Sequence, residues 1–478
     1  MVLVLTMVVL QSISFANYAL TTKTTNIIYG SAPYLTFDGG RTRVTNTEAL
    51  LGISLSDGRT FTPTTNNSSY YNPIELPVAG QSFNDIGMLV PRDTNSIALS
   101  SLIGTPYNYW GDDDGDGQGI DGITATGSLK LSIVDKNYNS VARNKVLTIC
   151  DNDRAPYRLT LSNTEGTLTT RYGVPNESRF SAGNATYYIN PKASPAVCFA
   201  KPNVDHINRG LSAAVWDRNK GFLTQSVTPS SYGLNFPTTG ANKLFFDLLI
   251  TGTNQALSWA TVSHGGITAT MTNSTSTSVR VTLTGPVATE SQWYSDNPDR
   301  IGRPSLPQVF ELVGRDRSGN AVVKYGFELK QWFVHRGYRL SYRYIYSNTK
   351  SWCNKIGEYR LPKAKELTNA RCNFNGPFGC RNNVEVVVGT SLSPDYYMRR
   401  HIGAGFFPEW DTDDGDGDDY TSSSYPESNF SAKSYWADKD SSNDNRYFIW
   451  VDPDEGRIKT MSESYDPNWR LSGLCVYP

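Results

Sequence analysis

Neither sign of charge dominates this 478-residue chain. Lys and Arg number 44 against 45 Asp and Glu. A balance so close to neutral excludes whole-chain attraction to nucleic acid or to an anionic membrane. Histidine is scarce, with only His206, His264, His335 and His401, all scattered. None of the six cysteines sits in the CxxC or Cys/His spacing of a zinc site. Past the first residues, no stretch reaches the roughly 18 consecutive apolar residues that a spanning helix needs. Catalytic signatures are missing too: there is no phosphate-binding P-loop, no GxSxG, no HExxH and no dinucleotide fingerprint leading into a helix. His264-Gly265-Gly266 has the letters of an esterase oxyanion segment, but it lies between strand-like runs without a nucleophile elbow and reads as a turn. Glu409 and Asp411 are side chains of the kind glycoside hydrolysis uses, yet nothing in the sequence sets them across a cleft. The expectation is that the protein is not an enzyme.

What is present is a polar but foldable composition. Hydrophobic residues make up 38 % and charged residues 19 %, while aromatics reach 12 % with 28 Tyr. That is too aromatic and too weakly charged for disorder. The 40 Gly and 25 Pro imply many turns and few long helices. At roughly 150 residues per domain the length suggests about three domains. The even cysteine count points to structural disulfides and an oxidising compartment. The N-terminus agrees: Val2–Leu10 is a short apolar run followed by Ser14-Phe15-Ala16, a small-x-small cleavage site. Residues 1–16 read as a signal peptide, although basic residues before the run are missing. A start inside a longer exported protein, or a first strand, are the other readings.

Alternating runs recur between turn clusters. Leu129–Ile133, Tyr157–Leu161 and Val279–Leu283 have period two, and Lys243–Ile250, Gln308–Val313 and Val322–Leu329 also read as strands. Short strands at this spacing predict antiparallel sandwiches rather than a parallel α/β sheet. Asp135-Lys136-Asn137 and Asp316 to Asn320 form two matching turns. They suggest two related β-domains, 17–152 and 153–331. Beyond residue 331 the only short helical stretches are Lys350–Ile356 and Lys363–Ala370. Charge is split there, with twelve Lys/Arg and four Asp/Glu in 332–403 against six and sixteen in 404–478. A solvated surface with one acidic loop accounts for the split, and so does a basic face for an acidic glycan or receptor.

The most specific local signal is duplicated. Trp110-Gly111-Asp112-Asp113-Asp114-Gly115-Asp116-Gly117 recurs as Trp410-Asp411-Thr412-Asp413-Asp414-Gly415-Asp416-Gly417. Carboxylates at alternate positions, interrupted by glycine, can turn several oxygens around a hard cation such as Ca²⁺. Asp112, Asp114 and Asp116 in the first loop and Asp413, Asp414 and Asp416 in the second are the candidate ligands of a structural calcium ion. Position twelve of the first loop is Ile123 rather than Glu, so an EF-hand is not expected. Solvated acidic turns are the alternative.

Several passages resemble the adhesion domains of inverse-autotransporter adhesins of enteric bacteria, the relatives of invasin and intimin. They are Tyr109 to Gly119, Val141 to Cys150, Tyr187 to Cys198, Gly221 to Ser226, Leu234 to Gly240, and Lys324 to Phe327 with Lys330 to Phe333. The last segment is similar to the C-type-lectin-like module that caps such adhesins, through Trp352-Cys353, Tyr359-Arg360-Leu361-Pro362 with Glu366-Leu367, Ser434-Tyr435-Trp436 and Leu474-Cys475-Val476. The resemblance implies a mainly β chain: tandem Ig-like β-sandwich domains, then an α+β lectin-like domain at 332–478. It also implies the pairing Cys353–Cys475, a small loop closed by Cys372 and Cys380, and a tie between Cys150 and Cys198. The calcium-dependent sugar triplets of true C-type lectins are missing, and Trp436-Ala437-Asp438 does not replace them.

The expected function is that of an exported adhesin, on the bacterial surface or outer membrane or secreted, docking on a host-cell protein or glycan through its last domain. It would be either a secreted relative or the tip of a longer barrel-anchored adhesin. No nucleic acid and no membrane span of its own are expected. Because Tyr, Trp and Arg dominate interface hot spots, the candidate contact residues are Tyr396, Tyr397, Arg399, Arg400, Trp410 and Trp436. Trp436 and Tyr435 are also natural core residues. The alternatives are a carbohydrate-binding module, a structural surface protein without host adhesion, and a hydrolase.

Overall fold

The structure is a computed structural model. It describes residues 29–115, 122–151, 154–203, 209–337, 344–372, 392–410, 424–428, 430, 434–438, 447–462 and 470–478. The proposed signal peptide, Asp116, Asp413, Asp414, Asp416 and Cys380 lie outside the described residues. The fold is mainly β, as expected, but the chain divides into two compact units, 1–192 and 193–478, rather than breaking near 152 and 331.

In the first unit a five-stranded sheet runs in the order Ile74–Glu75, Gly183–Asn190, Tyr157–Asn163, Ser128–Val134, Ser96–Ala98. Its centre shows why residue 152 is not a boundary. Ser128–Val134 and Tyr157–Asn163 pair antiparallel, from Leu129 opposite Asn163 to Val134 opposite Arg158. Cutting between them would break this ladder and leave two strand edges unpaired. Period two puts Leu129, Leu131, Ile133, Tyr157, Leu159 and Leu161 inward. The same core takes Ile123, Leu168 and Phe180 from a second sheet, Glu177–Phe180, Gly166–Thr170 and Ile123–Ala125.

The second unit is built on a seven-stranded sheet: Trp216–Asp217, Gly221–Leu223, Ala196–Pro202, Phe245–Thr251, Ser278–Thr284, Ile267–Thr272, Val262–His264. It shares a core with the three-stranded sheet Ser258–Trp259, Gln308–Arg315, Ala321–Leu329. His264-Gly265-Gly266 is indeed a hairpin turn: both glycines have positive φ (57° and 84°), which a two-residue loop between antiparallel strands requires. The two Asp turns are also alike in detail. Asp135 Oδ1 accepts from the Asn137 and Asn139 amides (both 2.9 Å), and Asp316 Oδ1 from those of Ser318 (2.8 Å) and Asn320 (2.9 Å). Where the second turn has Gly319 at φ 84°, the first has Tyr138 at 66°, its ring covered by the Arg158 guanidinium 3.6 Å away.

Residue 331 is no boundary either. The strand Gln331–His335 pairs parallel with Thr239–Ala241 and antiparallel with Leu474–Tyr477, the end of the chain. Trp332 is buried where a Cβ on Gly285 would come within 2.6 Å of its ring, and its indole donates to the Pro286 carbonyl (2.8 Å). One apolar cluster thus joins the sandwich to the C-terminal part. That part holds the helices Tyr346–Lys355, Ala364–Leu367 and Phe406–Trp410 and a sheet of Tyr435–Ala437, Tyr447–Val451 and Ile458–Ser462. Cys353 on the first helix is bonded to Cys475 on the last strand, as the resemblance implied. Among the described residues no cysteine is free; Cys150, Cys198 and Cys372 are each in a disulfide. No helix among the described residues is long and apolar enough to cross a membrane.

Candidate recognition surface

The C-terminal part turns one short segment outward. Residues 398–400 are held from several sides: the Met398 amide donates to the Glu455 carbonyl (2.8 Å) and the Arg400 amide to the Arg209 carbonyl (2.9 Å). The Asn369 side chain imitates a strand partner, accepting from the Arg399 amide and donating to its carbonyl, both at 3.0 Å. Gly456 sits so close beneath that an added Cβ would lie 2.5 Å from Met398 Cβ. With Met398 and Arg400 fully buried, the preceding bend leaves Tyr396 and Tyr397 43 % and 38 % exposed.

The bend is shaped by Asp395. Its carboxylate accepts from the Ser393 hydroxyl (2.9 Å) and the Tyr397 amide (3.2 Å) and is paired with Arg399. Burial pushes the Asp395 carboxyl up, but the hydrogen bonds from Arg399, Ser393 and Tyr397 outweigh it and hold the group below its ordinary range. From the facing turn, the Arg457 guanidinium lies 4.7 Å from the Tyr397 ring centroid and pairs with Glu455. Lys459 and Asp452 form a further ion pair (2.8 Å). The result is two neighbouring exposed tyrosines beside balanced charge, Arg399 with Asp395 and Arg457 with Glu455.

Of the six contact residues expected from the sequence, Tyr396, Tyr397 and the partly covered Arg399 come together here. The other three are core, for identifiable reasons. Arg400 donates from Nη1 to the Phe407 carbonyl (3.0 Å), its guanidinium 5.6 Å from the Trp216 ring. Trp410 fills the sandwich core beside Phe236 (centroids 4.9 Å apart), its indole donating to the Thr239 carbonyl (2.9 Å). Trp436 packs among Tyr346, Phe448 and Trp450 and donates to the Tyr344 carbonyl (2.7 Å). Arg457 was missed; the turn letters Asp452-Pro453-Asp454-Glu455-Gly456 before it were the available signal.

Glu409 is no hydrolytic acid. It is wholly buried and accepts from the amides and hydroxyls of Thr238 and Thr239 and from the Gly403 amide, at 2.6–3.1 Å. Burial pushes its carboxyl up, against those hydrogen bonds. Its neighbour Asp411 lies outside the described residues. In the first acidic loop Asp113, not one of the expected calcium ligands, is bound by the Tyr34 hydroxyl (3.1 Å) and by Arg43. Asp114 accepts from the Ser31 amide (2.6 Å). Among the described residues no three metal-ligating side chains gather, and the calcium expectation there depends on Asp116, beyond them.

Comparison with solved structures finds invasin, a bacterial integrin-binding protein, with 13 % identity and a TM-score of 0.35, covering 74 % of this chain and 51 % of that one. The chain therefore spans about half the length of the invasin structure. A 282-residue C-terminal fragment of intimin, in complex with the intimin-binding domain of the translocated intimin receptor, is similar over 74 % of this chain and 93 % of its own (11 % identity, TM-score 0.29). A complex of intimin with Tir90 is similar over 59 % and 99 % (11 %, 0.27). No family model matches the sequence, and no curated protein does.

Proposed function

We infer that the protein is an exported adhesin that attaches to a partner on another surface through the Tyr396–Tyr397 bend. The sequence passages resembling invasin- and intimin-type adhesion domains supply the class. One observation carries the site: two consecutive tyrosines stay exposed on a segment whose next residues are stitched into the core. The backbone that carries them is held before any partner arrives, so little backbone freedom is lost on docking. A host-cell protein or glycan is the proposed partner, met at the bacterial surface.

The test is attachment of the purified chain to cultured epithelial cells, compared with Tyr396→Ala/Tyr397→Ala. Both side chains are partly exposed, so the double variant keeps its melting temperature while cell binding falls at least about 10-fold, equivalent to about 1.4 kcal/mol. Undiminished binding by a folded double variant removes the bend from this role.

A further inference from the structure

The first unit contains a cleft of about 490 Å³ that the adhesive reading does not use. Its size is that of a small-molecule site. Three half-buried aromatic rings, Phe37, Tyr107 and Tyr109, line it together with Arg92, Asp93 and Arg143. The Tyr107 and Tyr109 rings stand 5.6 Å apart, tilted by 51°. Tyr107 is fixed by its hydroxyl, which donates to the Asp93 carboxylate (2.9 and 3.0 Å to the two oxygens). Asp85, also in the lining, is occupied by the Ser82 amide (2.7 Å) and hydroxyl (3.0 Å).

The wall of the cleft carries two guanidinium groups, Arg92 and Arg143, and two carboxylates, Asp85 and Asp93, already engaged by Ser82 and Tyr107 respectively. Arg143 is only 9 % exposed. It spends its two terminal nitrogens on the Pro91 and Val90 carbonyls (2.5 and 3.0 Å), and among the described residues its Nε has no partner. Among the described residues neither Arg143 nor the exposed Arg92 forms an ion pair with a carboxylate. Burial pulls the Arg143 pKa down and the charge of Arg92 acts in the same direction, against smaller opposing effects of Tyr109 and Asp93. A desolvated guanidinium held only by carbonyls is relieved by an anion. The aromatic rings favour a flat, C–H-bearing face over an inorganic ion.

We propose that this cleft binds a carboxylated sugar residue, its ring lying against Tyr107, Tyr109 and Phe37 and its carboxylate meeting Arg92 at the mouth and the charge of Arg143 behind it. This site is separate from the Tyr396–Tyr397 bend, and the two stand or fall independently.

The experiment is saturation-transfer NMR and titration calorimetry on the full chain with four probes: glucuronic acid, N-acetylneuraminic acid, glucose and benzoate. Either acidic sugar binds with a Kd near about 1 mM, while glucose and benzoate bind at least about 10-fold more weakly. Arg92→Glu, a change at an exposed position, weakens the acidic sugar about 10-fold without moving the melting temperature. Tyr107→Ala loses binding as well, and Tyr71→Ala, exposed and outside the cleft, changes nothing. If Tyr107→Ala fails to fold, Arg92→Glu decides alone. Equal binding of glucose, equal binding of benzoate, no saturation by either acid up to about 50 mM, or an unaffected Arg92→Glu variant overturns the proposal.

Discussion

His335 is the residue whose burial has the clearest consequence. It ends the strand Gln331–His335, its ring packed against Phe430 and Tyr435 (centroids 5.4 and 5.7 Å away), and among the described residues neither ring nitrogen has a hydrogen-bond partner. Burial pulls its pKa down to about 3, so the folded protein keeps it neutral. The unfolded chain takes up a proton below about pH 6.5 while the native state does not. Stability from this site is therefore intact above that pH and falls as pH drops toward 3, by about 1.4 kcal/mol per unit within the window. Glu409, with its raised carboxyl pKa, acts in the opposite sense at the acid end. Melting curves at pH 7.5 and 5 for the wild type and His335→Phe isolate the histidine. The variant loses less stability on acidification, and parallel losses in the two proteins contradict the assignment.

At the scale of elements, the crosslink between the helix Tyr346–Lys355 and the strand Leu474–Tyr477 closes a loop of 122 residues. The chain-entropy model gives about 4 to 5 kcal/mol for a loop of that length. Cys353→Ser/Cys475→Ser should lose close to that amount in urea unfolding, and an unchanged midpoint would refute the estimate. Periodicity made the strands readable. The runs around 129–133, 157–161, 279–283, 308–313 and 322–329 all became strands, because alternation survives wherever one face is buried. Helix ends were less legible: Lys363–Ala370 shortened to Ala364–Leu367, where Thr368 turns extended and its hydroxyl donates to the Gly456 carbonyl (2.8 Å). The candidate site was half legible. An aromatic or arginine in a loop has the same letters whether it meets a partner or its own core. Trp410 and Arg400 are buried where Phe236, Thr239 and Trp216, about 170 to 185 residues earlier, come to meet them.

Across the second unit, that long-range packing overrides the division suggested by sequence. A domain boundary at 331 looked natural because the character of the residues changes there, yet the strand crossing it is the middle of a three-stranded sheet. A fragment starting at 332 lacks Thr239–Ala241 and the walls around Trp410. It should show no cooperative thermal transition, whereas 193–478 should melt sharply. A sharp transition for 332–478 would restore the boundary at 331.

The same central strand bears on mechanical load. A molecule gripped at the Tyr396–Tyr397 bend and tethered from its N-terminal side transmits tension through the C-terminal part into the sandwich. There Gln331–His335 runs between Thr239–Ala241 and the chain terminus, and Glu409 rivets the helix at 406–410 to Thr238 and Thr239. The sulfur bridge keeps the terminal strand from being peeled off while pulling lasts. If the bend is the point of attachment, one covalent link and a set of buried hydrogen bonds lie between it and the sandwich.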